Sequence, residues 1–171
     1  MQDRVKRIVV PVNGLRGDER AIRVAAQIAD RKAIELTLIH VVEVKQFLPL
    51  DAELPGEVER GEAILRGATT FADGLLAGKG VHVESELLQA RMAGTALVDE
   101  ATERQCDLII MATRLRTHHG RVGVGETTRY VLQSAPCEVM ILRQAIEEGD
   151  DQSLLAIAGA SIGVGSSGRT G

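Results

Sequence analysis

CDLIIMATRLRTHHGRVGVGETTRYVLQSAPCEVMILR, residues 106–143, carries the pattern that decides the fold. A short apolar run at 108–112 (LIIMA) suits a buried strand, and a loop with Gly120, Gly123 and Gly125 follows it. The loop feeds a helical period over 128–133, which Pro136 ends because it disfavours a helical Ala135. A second apolar run, VMIL at 139–142, then reads as another strand. Strand, loop, helix and strand in this order make one parallel crossover unit.

Working outward, the same unit recurs. Apolar runs at 8–12 (IVVPV), 36–42 (LTLIHVV) and 81–88 (VHVESELL) bring the predicted strands to five. Ala21, Ile22, Ala25, Ile28 and Ala29 form a helical stripe after Asp18, which is placed as its N-cap. Val58, Ile64, Leu65, Ala68, Phe71, Ala72, Leu75 and Leu76 form a second stripe, bounded by Pro49 and Pro55 before it and Gly78 and Gly80 after it. Leu97, Val98 and Ala101 form a third. The alternation predicts an α/β fold with a parallel sheet and helices on both faces. Its binding crevice is expected where the winding reverses, between the strand ending at Asn13 and the strand ending at Ala112.

Composition agrees. The chain has 171 residues, 44% of them hydrophobic, enough for one domain with a core. Aromatics are 2% and Trp is absent, so the core must be built from Val, Ile, Leu and Ala, as in helices packed on a parallel sheet. A net charge of -4 gives no overall basic field, so nucleic acid is not expected as a partner. MQDRVKRIVVPV at the start lacks a signal-peptide apolar region, and no apolar run approaches the length of a membrane span, which points to a cytoplasmic chain without membrane insertion. Cys106 and Cys137 have no metal spacing and read as reduced, buried thiols. Residues 1–143 are assigned to the domain. The stretch 144–171, acidic and then rich in Gly and Ser, is expected to be a largely flexible tail whose SLLAIAGASIGVG run could add a strand or pack on a partner subunit.

A glycine-bearing loop ahead of a helix offers backbone N–H groups and the positive end of the helix dipole to an anion. A P-loop would need Lys and Ser or Thr directly after its last Gly, and a dinucleotide fingerprint would need GxGxxG after the first strand. The chain reads GRVGVGE in the loop and NGLRGDE after the first strand, so it has neither. His118 and His119 lack further ligands at metal spacing, and no metal is expected. His40 reads as a satisfied core residue, and His82 as a residue facing solvent. No GxSxG elbow is present, and Ser85, Ser134 and Ser153 have no His or acid in a recognisable pattern. No enzymatic activity is expected, beyond weak ATP hydrolysis at most.

KRIVVPVNG, LTLIHVVE and CDLIIMATR, with GETTRYVLQSAPCEVMILR after the loop, together resemble the universal stress protein family over residues 4–143. The resemblance implies a Rossmann-like domain with strand order 3-2-1-4-5, homodimeric, acting in cytoplasmic stress adaptation. In the ATP-binding branch of that family the loop reads Gly, two residues, Gly, nine residues, then Gly and Ser or Thr. On this chain those positions are Ala112, Leu115, Gly125 and Glu126, and the acidic residue facing the nucleotide is Asn13. The crevice, if a ligand binds, is assigned to Pro11, Val12, Asn13, Val41, Met111, Ala112, Arg114, Leu115, Arg116, Gly125, Glu126 and Thr127.

The departures carry a cost. Leu115 places a branched side chain where bare backbone would approach phosphates. Glu126 puts a carboxylate on the helix dipole, and at ~4 Å with an effective dielectric near 20 one unit repulsion is about 4 kcal/mol, roughly a thousandfold in affinity. Against this stand Arg114, Arg116 and Arg121 with His118 and His119, which make the loop locally basic, and the hydroxyls of Thr127 and Thr128. The leading expectation is a non-catalytic universal stress protein domain without a cofactor, acting through dimerisation and contact with a protein partner. The alternative is an ATP or AMP binder that uses the loop arginines. A third reading beside these two is regulation of a membrane transporter or kinase. The strand between Glu138 and Leu142 is the expected sheet edge and the candidate for pairing across a two-fold axis.

Overall fold

In the computed structural model, which describes residues 5–29, 34–114, 116–118 and 121–143, five parallel strands carry four helices and a small hairpin. The elements run β1 (Arg7–Pro11), α1 (Arg16–Ala29), β2 (Glu35–Glu43), α2 (Pro55–Leu76), β3 (His82–Ala90), α3 (Ala93–Glu103) and β4 (Leu108–Thr113). The hairpin strands β5 (Arg116–His118) and β6 (Arg121–Gly123), then α4 (Glu126–Ser134) and β7 (Glu138–Arg143), complete the domain. The main sheet has the order β3-β2-β1-β4-β7, the expected 3-2-1-4-5 with the hairpin set aside. The tail assigned to 144–171 lies outside the described residues.

The three central strands are apolar on both faces because helices cover both. Ile8, Val10, Leu36, Leu38, Leu108 and Ile110 pack with Ile22, Ala25, Ile64 and Leu65 beneath α1 and α2. Val9, Ile39, Ile109 and Met111 pack with Leu97, Ala101 and Val131 beneath α3 and α4. Successive strand residues therefore serve opposite cores, which is why these runs are continuously hydrophobic instead of alternating. The edge strands are less covered: Glu84 and Gln89 of β3 and Glu138 and Met140 of β7 are exposed. Ala135 after α4 is extended (φ −60°, ψ 138°), as the following Pro136 demands.

Two local expectations change. The glycine-bearing loop is not a simple cradle, since β5 and β6 pair antiparallel with Arg116 opposite Gly123. Nor is Asp18 the N-cap of α1, because the helix begins at Arg16 and Asp18 lies in its first turn. Its side chain instead reaches back to the end of β1.

Candidate functional site

The carboxyl ends of β1, β2 and β4 open into a crevice of about 380 Å³, at the reversal of winding between β1 and β4. Each wall has a sequence reason. Pro11 and Asn13 end β1, Val41 and Glu43 end β2, and Met111, Ala112 and Arg114 end β4. Gly125, Glu126 and Thr127 come from the start of α4, so the amino-terminal end of that helix faces the crevice. Of the residues assigned from sequence, Pro11, Asn13, Val41, Met111, Ala112, Arg114, Gly125, Glu126 and Thr127 meet there.

Four residues fare differently. Val12 is fully buried in the core under α1 and α2, because the strand alternation that turns its neighbours to the crevice turns it away. Thr128 borders the crevice but is buried, and the proton of its Oγ1 is committed to Thr113 Oγ1 at 3.2 Å. Leu115 and the side chain of Arg116 lie outside what the structure describes.

The crevice also holds two acids that sequence reasoning missed. Glu43 Oε1 accepts the Ala93 N–H at 2.8 Å, holding the start of α3 against the end of β2. Asp18 Oδ2 accepts the N–H groups of Asn13 (2.7 Å), Gly14 (2.7 Å) and Leu15 (3.1 Å). Gly14 makes this turn at φ +76°, a conformation that side chains resist. Three successive amides aimed at one point form an anion site, and the chain fills it with its own carboxylate. The Asp-Glu pair following Gly17 was the available signal, but helix capping explained it too easily.

Burial pushes the Asp18 carboxyl up, outweighing the amides of Asn13, Leu15 and Gly14 and the nearby His40, all of which pull it down. A carboxyl held above its ordinary 3.8 keeps its proton longer in the folded chain than in the unfolded one. Folding then takes up a proton between 3.8 and the raised value, so the contribution of Asp18 to stability falls as pH rises through that window. Urea unfolding followed from below 3.8 to neutral pH should show wild type losing stability relative to Asp18→Asn, which cannot ionise. Parallel curves would contradict this.

His40, half-buried on β2, is satisfied as expected, with Nδ1 2.8 Å from the Val12 carbonyl oxygen. His82 is exposed and its Nε2 meets Glu84 Oε1 at 3.2 Å. Among the described residues no group of three or more His, Cys, Asp or Glu could hold a metal ion. No described helix is long and apolar enough to cross a membrane.

An open parallel sheet wound in two directions, with a crevice at the reversal and a helix start facing it, defines the class of Rossmann-like α/β domains. Within it, the model of the universal stress protein family matches residues 4–143, and the chain belongs to that family. A universal stress protein of Methanocaldococcus jannaschii is 28% identical over 149 residues, covering 84% of this chain and 85% of that one. Among solved structures, UspA from Lactobacillus plantarum superposes with a TM-score of 0.64 at 27% identity, over 82% of this chain and 99% of that one. The universal stress protein of Archaeoglobus fulgidus in complex with dAMP gives 0.60 at 20% identity, over 80% and 96%.

Proposed function

We propose that this chain is a non-catalytic stress-response or regulatory module that works through dimerisation and protein partners, with a crevice that no longer holds a nucleoside triphosphate. The observation that carries the reading is the charge of the crevice. Asp18, Glu43 and Glu126 line it against the single guanidinium of Arg114 among the described residues. Glu126 is exposed, so solvent screens it and its repulsion of a phosphate falls from the 4 kcal/mol expected from sequence toward about 1 kcal/mol. What replaces that large single term is the sum of three carboxylates, with the β1–α1 amides already satisfied by Asp18.

A nucleotide-binding alternative has support in the dAMP held by the Archaeoglobus fulgidus protein and in Arg114 and Thr127 on the crevice wall. Equilibrium titration with magnesium ATP separates the two, and undetectable binding at millimolar nucleotide is the expected result.

The dimer is assigned to β7. Among the described residues this strand pairs with β4 alone, leaving an edge, and Met140 on it is exposed, as is Leu132 on the crossover helix before it. Met140→Lys places a charge on that edge and should convert the sedimenting dimer to a monomer. A variant that still sediments as a dimer would exclude β7.

A further inference from the structure

The two cysteines lie at the opposite end of the sheet from the crevice. Cys106 closes the turn from α3 into β4, and Cys137 stands directly before β7. β4 and β7 are neighbouring parallel strands in the register Leu108 to Glu138. Side chains alternate along a strand, so Cys137 shares the face of Val139 and Ile141, and all three pack against the cluster under α3 and α4 that contains Cys106. One strand spacing of about 4.8 Å and one residue step of about 3.3 Å separate such positions by roughly 6 Å, within the span that a disulfide bridges.

The thiols differ in access. Cys106 is buried, its Sγ 3.2 Å from the Leu108 carbonyl oxygen and 3.5 Å from that of Arg7. Cys137 is half-buried. Burial pushes Cys106 up to about 12, with the neighbouring Cys137 adding to the rise. Burial also raises Cys137, but a hydrogen bond from Cys106 pulls it the other way. Cys137 is therefore the first to ionise and the first to meet a reagent, with Cys106 held beside it.

We propose that Cys106 and Cys137 form a dithiol that closes to an intramolecular disulfide, with a low-molecular-weight disulfide as oxidant. The Cys137 thiolate attacks one reagent sulfur, forms a mixed disulfide and expels a thiolate that takes up the Cys137 proton. Cys106 then attacks Cys137 Sγ and breaks the mixed bond. The second reagent thiolate leaves and takes up the Cys106 proton. Two protein thiols are oxidised, and one reagent disulfide is reduced to two thiols. The new bond ties the start of the edge strand β7 to the start of β4.

The test uses the full chain, equilibrated in glutathione buffers of graded oxidised-to-reduced ratio, quenched with N-ethylmaleimide and digested without reductant. A peptide joining Cys106 to Cys137 is expected, with the loss of both alkylation sites. In an equal mixture of 15N-labelled and unlabelled chains, both halves of that peptide should carry the same label. Cys106→Ser should stop at a Cys137–glutathione adduct. Two alkylatable thiols at the most oxidising ratio, or a joined peptide of mixed label, would overturn the proposal.

Discussion

Asp18→Ala should lower the stability of the domain by about 2 kcal/mol in urea unfolding, from the loss of three amide hydrogen bonds to a charged acceptor, partly offset by water entering from the crevice. The carboxylate is buried, yet it borders the crevice, so the freed amides of Asn13, Gly14 and Leu15 are hydrated instead of stranded. Alanine also relieves the cost of burying a carboxyl, which keeps the loss below the sum of three full bonds. Asp18→Asn keeps an acceptor oxygen of the same reach and should stay closer to wild type. If alanine cost nothing measurable, Asp18 would not be holding the β1–α1 turn.

Two glycines of the same helix should respond in opposite directions. Gly74 faces open space on α2, and alanine there should stabilise by about 0.5–1 kcal/mol through helix propensity alone. At Gly61 an added Cβ would stand 2.7 Å from His40 Cδ2 and 2.7 Å from Leu87 Cδ1. Leu87 can turn its methyl away. The imidazole is pinned by its bond to the Val12 carbonyl, so moving it disturbs the strand that leads to the crevice. Overpacking of this kind typically costs 1–3 kcal/mol, and after the helix-propensity gain Gly61→Ala should destabilise by about 1–2 kcal/mol. Chemical denaturation of the two variants side by side checks this, and a stabilised Gly61→Ala would mean that α2 does not press on β2 as described.

How far the sequence discloses this molecule depends on which force decides each feature. The five sheet strands were legible as short apolar runs, the three central ones because both of their faces meet a core, and the observed bounds differ from those expected by at most two positions. Pro136 by backbone restriction, and the paired glycines at 78 and 80 by their freedom to take positive φ, marked helix ends, and both effects act locally and so can be read locally. The β5–β6 hairpin was missed because RTH and RVG are three-residue segments in a charged, glycine-bearing stretch, too short to show alternation.

At the crevice, the residues assigned at strand ends come together because the topology fixes where they meet. Val12 was misplaced by one step of the pleat. Glu43 escaped notice and Asp18 was read only as a helix cap because their partners, the Ala93 amide and the amides of 13–15, are backbone groups that no motif announces. Thr128 looked available on the α4 side of the loop. Only the packing of α4 against the end of β4 turns its hydroxyl to Thr113.

The proposal that the crevice is degenerate is tested most directly by calorimetric titration of the purified protein with magnesium ATP at moderate ionic strength. Three carboxylates facing one described arginine predict no saturable heat up to millimolar nucleotide, a binding free energy weaker than about −4 kcal/mol. A micromolar dissociation constant with one site per chain would contradict it, and would favour the alternative in which the loop arginines hold the phosphates.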